Sequence, residues 1–178
     1  MEVKTVGVVG AGTMGNGIAQ VAAQVGCEVV MRDIEESFVE RGIKNIDKFL
    51  SRGVEKGKLE AKEKDAILGR IKGTTDLSDL KDVDFVVEAV IEDLELKKGD
   101  FKELDELCRP EVVIASNTSS MSLTEIAAAT QRPEMICGMH FFNPAPLMKL
   151  VEVIRGYATS DSTIAAATAL AKRMGKVT

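Results

Sequence analysis

Histidine occurs once in this chain, at His140, and tyrosine once, at Tyr157. The three cysteines, Cys27, Cys108 and Cys137, lie far apart in sequence. One histidine and no cysteine pair leave too few ligands for a zinc site, so no metal is expected. An odd number of thiols fits a reducing compartment. No stretch reaches the about 18 apolar residues that a membrane helix needs. The opening MEVKTVGVVGAG lacks a basic segment and a long apolar run, so no secretory leader is read there. An excess of one sign of charge is also missing. The formal net charge is −5, with acids and bases interspersed, which argues against nucleic acid or a membrane surface as partner. A soluble, cytoplasmic protein is the expectation.

What is present is a 45% hydrophobic content in 178 residues, enough for one good-sized domain with a real core. Short β-branched runs alternate with longer helix-like segments. Val3–Val9, Glu28–Met31, Val83–Glu88, Val112–Ser116 and Met135–Met139 read as strands. Met14–Val25, Leu94–Leu107 and Leu123–Ala129 read as helices between them. Such alternation implies parallel βαβ units: an α/β fold of Rossmann type, with a doubly wound, mostly parallel sheet. Leu150–Ile154 follows Met135–Met139 without an intervening helix, a connection short enough for an antiparallel partner. Residues 35–70 depart from the alternation. Two charged helical patterns, Glu36–Leu50 and Glu60–Leu68, suggest a helical hairpin inserted after the second strand, its charges facing solvent. Ser160–Met174 reads as a last helix, and Gly175–Thr178 as its stop entering another strand.

The segment VVGAGTMG places Gly10, Gly12 and Gly15 in a G-x-G-x-x-G pattern. It closes a strand and opens a helix, the context in which the pattern has a mechanism. Gly10 permits the tight turn, Gly12 lets the backbone approach a pyrophosphate, and Gly15 lets helix and strand pack closely. Thr13 and Met14 lie in the same turn, where the helix N-terminus favours an anion. Asp33, 18 residues after Gly15, ends the next strand and can accept bonds from a ribose diol. Its charge disfavours a 2′-phosphate, so NAD is expected over NADP, although Arg32 beside it works the other way. The alternative is that the glycines only shape a βα turn and Asp33 only caps a helix.

A nicotinamide cofactor needs a group that moves a proton as hydride moves. The residue four after Tyr157 is Asp161, which rules out a Tyr-x-x-x-Lys arrangement. His140 is the remaining natural choice, at the end of a predicted strand, where open α/β sheets bind ligands. Glu152 lies twelve residues on, inside the apolar LVEVI run. An acid there is expensive unless paired, and pairing of the two strands sets it beside His140. A lone histidine is otherwise more often a packed core residue, and Glu152 alone an edge-strand acid. Ser116-Asn117-Thr118-Ser119-Ser120 follows another strand at the same edge. These groups suit a substrate oxygen or the nicotinamide ribose as well as they suit ordinary loop and cap chemistry.

Taken together, GAGTMGNGIAQ (10–20), SNTSS (116–120) and HFFNPAPLMKLVEVI (140–154) resemble the 3-hydroxyacyl-CoA dehydrogenases over essentially the whole chain, most closely the bacterial 3-hydroxybutyryl-CoA enzymes. The resemblance implies NAD-dependent interconversion of an (S)-3-hydroxyacyl-CoA, such as (S)-3-hydroxybutyryl-CoA, and a 3-ketoacyl-CoA such as acetoacetyl-CoA. It implies His140 as general base, Glu152 as its orienting partner and Ser119 on the reacting oxygen. It further implies Asp33 on the adenosine ribose, with Glu92, Lys97, Asn117 and Asn143 lining the cofactor. The charged hairpin around Lys56 corresponds to a region that helps hold CoA. Family members carry a second, all-helical domain that supplies dimer contacts, part of the acyl pocket and a site asparagine. Residues 1–178 cover only the NAD-binding part, so a homodimer is expected of a longer protein, and little turnover from this piece alone. Two other functions fit the glycine turn: a non-catalytic, redox-sensing module, and a dehydrogenase of a hydroxy acid without CoA.

Overall fold

The short Val- and Ile-rich runs become strands because β-branched side chains suit a surface buried on both faces. The computed structural model describes residues 2–178. Its strands are β1 (Thr5–Val9), β2 (Glu28–Arg32), β3 (Ile71–Thr74), β4 (Phe85–Glu88), β5 (Val113–Ser116), β6 (Ile136–Phe141) and β7 (Val151–Arg155). They form one sheet in the order β3-β2-β1-β4-β5-β6-β7, all parallel except for the antiparallel β6–β7 pair. The order reverses beside β1, the point at which doubly wound sheets open a ligand crevice.

Helices α1 (Thr13–Gln24), α2 (Glu36–Glu55), α3 (Ala61–Gly69) and α6 (Asp161–Arg173) bury one apolar layer. Helices α4 (Leu94–Leu107) and α5 (Leu123–Ala127) bury the other. Alternation along β4 shows the division: Phe85 and Val87 join the first layer, and Val86 the second. Each fully buried Phe, Val or Ile contributes about 1.5–3 kcal/mol relative to exposure. Local signals set the helix starts: the Asp93 carboxylate accepts the Leu96 N–H at 2.9 Å, and the Ser160 hydroxyl accepts the Thr163 N–H at 3.2 Å.

Strand β3 follows directly on the charged region 35–70, where the sequence suggested no strand. Its four residues, Ile-Lys-Gly-Thr, are an edge strand with no fully buried position. It forms because β2 offers a parallel partner, with Ile71 opposite Val29. The predicted hairpin is present as α2 and α3, and α2 runs five residues past the expected end, to Glu55. At the other end, Val177 bridges in parallel to Leu150, and its carbonyl accepts the Val151 N–H at 2.9 Å. The expected strand entry after α6 is therefore paired along the start of β7.

Strand register aligns one row that ends β2, β1, β4 and β5 and crosses β6 and β7. Arg32 pairs with Val9, Val9 with Glu88, Glu88 with Ser116, Ser116 with Gly138 and Gly138 with Ile154. The site is built on and just beyond this row.

Candidate active site

The glycine turn joins β1 to α1. Gly10 has φ +102°, and a Cβ there would lie 2.5 Å from the Ala89 carbonyl oxygen. A Cβ on Gly15 would lie 1.8 Å from the Gly10 carbonyl oxygen, so only glycine allows the helix to start this close. A Cβ on Gly12 would meet nothing within 4 Å. The space over Gly12 is open, and the first turn of α1 holds no acid to compete for its free N–H groups. An anionic group fits there. Thr13 is exposed beside this space, while Met14 packs partly against the core.

Asp33 closes the turn from the neighbouring strand. One carboxylate oxygen accepts the Ala11 N–H at 2.7 Å, and the other accepts the Ile34 N–H at 2.7 Å. The carboxylate is held in one orientation and keeps its remaining lone pairs for a diol. It borders a cavity of about 310 Å³ whose walls include Gly12, Phe38, Arg41, Ile91 and Asp100. Largely apolar walls with the fixed Asp33 carboxylate at their border suit an adenosine half. Burial, with Glu88 nearby, pushes the Asp100 carboxyl up to about 6.

His140 and Glu152 stand directly opposite in the β6–β7 register, so their side chains share one face. Nδ1 of His140 lies 2.8 Å from Oε2 of Glu152. A carboxylate accepts only, so Nδ1 carries the proton in this bond and the lone pair of the neutral ring is on Nε2. The ring also packs on Phe142, centroids 4.6 Å apart. Two neighbours fix the face that it uses. At Gly138, a Cβ would come within 2.8 Å of Leu123 and 2.9 Å of Ile154, so α5 approaches β6 closely just before His140. The Asn117 side-chain oxygen accepts the Phe141 N–H at 2.8 Å, clamping the end of β6 to the loop after β5.

That loop carries Ser119, which is exposed and borders a cleft of about 200 Å³ with Ile154, Arg155 and Gly156. Asn143 lines a separate polar cleft of about 190 Å³ with Thr13, Asn16, Gln20, Asn45 and Phe49. Glu92 is half-exposed and accepts the Thr118 hydroxyl at 2.7 Å. Lys97 is not at the surface of any cleft. Its Nζ is buried, 2.7 Å from Glu88 Oε1 and 3.3 Å from the Val90 carbonyl. Lys56 is not gathered with the others either. It is exposed at the carboxyl end of α2, about 30 Å along that helix from Asp33 by the usual rise per residue.

Glu88, buried at the carboxyl end of β4, did not emerge as a site residue from the sequence. The signal was available: an acid ending the apolar run VDFVV needs a partner, as Glu152 does. Asp100 was missed for a different reason, since an acid on a charged helix looks like solvated surface.

Residues 5–178 match the family model described as 3-hydroxyacyl-CoA dehydrogenase, NAD binding domain. The chain belongs to that family. It is 53% identical to a probable 3-hydroxybutyryl-CoA dehydrogenase of Deinococcus radiodurans, over 96% of this chain and 61% of the relative. The crystal structure of (S)-3-hydroxybutyryl-CoA dehydrogenase from Ralstonia eutropha superposes with a TM-score of 0.96 at 51% identity, over 98% of this chain and 62% of that one. The Escherichia coli 3-hydroxybutyryl-CoA dehydrogenase structure gives 0.97 at 44% identity, over 99% and 37%. This NAD-binding domain spans about three fifths of the length of the curated relatives that it matches. Among its described residues, no helix is long and apolar enough to cross a membrane.

Proposed function

We propose that this domain is the cofactor-binding and acid–base half of an NAD-dependent 3-hydroxyacyl-CoA dehydrogenase that interconverts (S)-3-hydroxybutyryl-CoA and acetoacetyl-CoA. The observation that carries the proposal is the His140–Glu152 pair, 2.8 Å apart, at the carboxyl edge of a sheet that also holds a glycine turn for a dinucleotide. Bound NAD supplies the acceptor, or as NADH the donor, of hydride. Gly10, Gly12 and Thr13 hold its phosphates at the start of α1, and Asp33 holds a ribose. Met14 and Gly15 shape that turn. Glu92, Asn117 and Asn143 face the nicotinamide side, with Lys97 behind them.

In oxidation, His140 Nε2 accepts the proton of the 3-hydroxyl. In reduction, the imidazolium returns it to the 3-keto oxygen. Glu152 holds Nδ1–H throughout, which fixes the tautomer and stabilises the imidazolium when it forms. Ser119 donates to the C3 oxygen, where negative charge develops in reduction. Lys56 lies far enough along α2 to serve the CoA end of a long substrate and too far to serve the reacting carbon.

We further propose that a helical domain outside residues 1–178 completes the acyl pocket and forms a homodimer. The lengths of the relatives support it, as do the exposed apolar side chains Leu147, Met148, Leu150 and Val177 around one edge. Three buried free cysteines fit work in the cytoplasm.

The test is NADH oxidation with acetoacetyl-CoA, followed by absorbance, on this chain and on the full-length protein that contains it. Turnover confined to the full-length protein is the expected result. NADH binding without turnover in either would favour a sensor module. Equal turnover of free acetoacetate would favour a hydroxy-acid dehydrogenase without CoA.

A further inference from the structure

Beneath the loop that carries Ser119 lies a closed ring of polar side chains. Glu88 Oε2 accepts the Ser116 hydroxyl at 2.6 Å, and Ser116 Oγ accepts the Thr118 N–H at 3.2 Å. The Thr118 hydroxyl donates to Glu92 Oε2 at 2.7 Å. The other oxygen of Glu92 lies 3.6 Å from Lys97 Nζ, which donates to Glu88 Oε1 at 2.7 Å. The ring joins two loops that approach the sheet edge from different helices. Ala89, Val90 and Ile91 of one loop line the dinucleotide cavity, and residues 117–122 of the other carry Asn117 and Ser119.

Thr118 is the member nearest the chemistry, and it is 2% exposed. Besides donating to Glu92, its hydroxyl accepts the N–H of Ser120 at 3.4 Å and of Met121 at 3.2 Å. Ser119 is therefore the exposed crown of a turn whose two flanks are tied to one buried oxygen. The anchor of that oxygen is an ion pair with almost no solvent access. Such a pair adds little net stability, because desolvation offsets the attraction. It does fix geometry: Glu88 also accepts the Val90 N–H at 2.7 Å, and its main-chain oxygen accepts the Asn117 N–H at 2.8 Å.

We propose that Thr118 is a positioning residue for Ser119, and that the Glu88–Lys97 pair acts through Glu92 and Ser116 to hold Thr118 in place. The dinucleotide wall and the donor to the substrate oxygen are thereby set by a single rigid element. The inference rests on the reading of Ser119 as that donor.

The test uses Thr118→Val, which keeps the shape and removes the hydroxyl, with Thr118→Ser as the conservative restoration. In the full-length protein, Thr118→Val lowers kcat by about 10–100-fold, the cost of a donor displaced by a fraction of an ångström to an ångström. KM for acetoacetyl-CoA and the NADH dissociation constant move less than about threefold, and Thr118→Ser restores most of the rate. Combined with Ser119→Ala, Thr118→Val costs no more than about a further twofold, because the group it positions is already gone. Multiplicative losses in the double variant would overturn the proposal. So would parallel losses of NADH affinity and kcat that Thr118→Ser does not restore. If the parent protein turns over no acetoacetyl-CoA, it is the function proposed above that fails. The positioning role is then decided by hydrogen exchange in this chain. Thr118→Val and Glu88→Gln each deprotect the Met121 amide and Thr118→Ser does not, or the ring does not hold the turn.

Discussion

Two pairs of a carboxylate with a nitrogen donor stand at the same edge of the sheet and differ in almost everything else. Glu88 and Lys97 are sealed, with side chains 0% and 1% exposed. His140 and Glu152 are open, at 18% and 52%. The sealed pair has every charge committed inside the protein, to Val90, Ser116 and Glu92. The open pair commits one ring nitrogen and leaves the other without a protein partner among the described residues. Burial makes a pair costly to break and so suits it to holding geometry. Partial exposure leaves one ring nitrogen within reach of a ligand, and so suits the pair to chemistry.

The sharpest way to separate the two is to remove one member of each. His140→Ala in the full-length protein should lower kcat by at least about 10³-fold, within the range of general acid–base catalysis, while the NADH dissociation constant stays within about twofold by fluorescence titration. Strong residual turnover would mean that His140 is only packed there. Lys97→Met strands the Glu88 charge and should cost about 3–5 kcal/mol in denaturant unfolding of this domain, an effect on the fold before any on the chemistry. Glu152→Gln keeps the hydrogen bond and loses the charge. It should lower kcat by about 10–100-fold, yet leave unfolding within about 0.5 kcal/mol, because its side chain is largely solvated. An equal loss of stability from Glu152→Gln and Lys97→Met would erase the distinction.

Asp100 gives the smallest and most graded comparison. It is an acid between the two regimes, half-buried on α4 with no committed cation, its carboxyl pushed up to about 6 by burial and by Glu88. A raised acid binds its proton more tightly folded than unfolded. Its charge therefore costs stability above about pH 6, and the cost fades as pH falls toward the ordinary carboxylate range. Asp100→Asn should raise stability by on the order of 1 kcal/mol at about pH 7.5, after allowance for solvent screening, and by nothing measurable near about pH 4. A gain independent of pH would assign the effect to packing instead.

Those differences also explain what the sequence made legible. The glycine turn and Asp33 are local: neighbours within one βαβ unit decide their geometry, and the spacing together with the strand before it and the helix after it marks them. His140 and Glu152 were readable because a short connection between two apolar runs leaves few ways to pair. Glu88 and Lys97 belong to different elements, and their contact exists only once α4 docks on β4. Strand β3 depends on β2 in the same way, since Ile71-Lys72-Gly73-Thr74 has little strand character of its own. Lys56 shows the converse limit: a charged segment announced itself, but its distance from the rest follows only from the length of α2.

The β6–β7 register has a consequence for how this site can change over generations. Side chains on a strand alternate faces, so slipping β7 by one residue would turn Glu152 away from His140 and carry Val153 into its place. The connection between the strands, residues 142–150, therefore acts as a reading frame for the proton-transfer pair. A single-residue insertion or deletion that is passed on to β7, instead of being taken up within the connection, is a frameshift in three dimensions, resisted also by Val177, whose carbonyl holds the Val151 N–H.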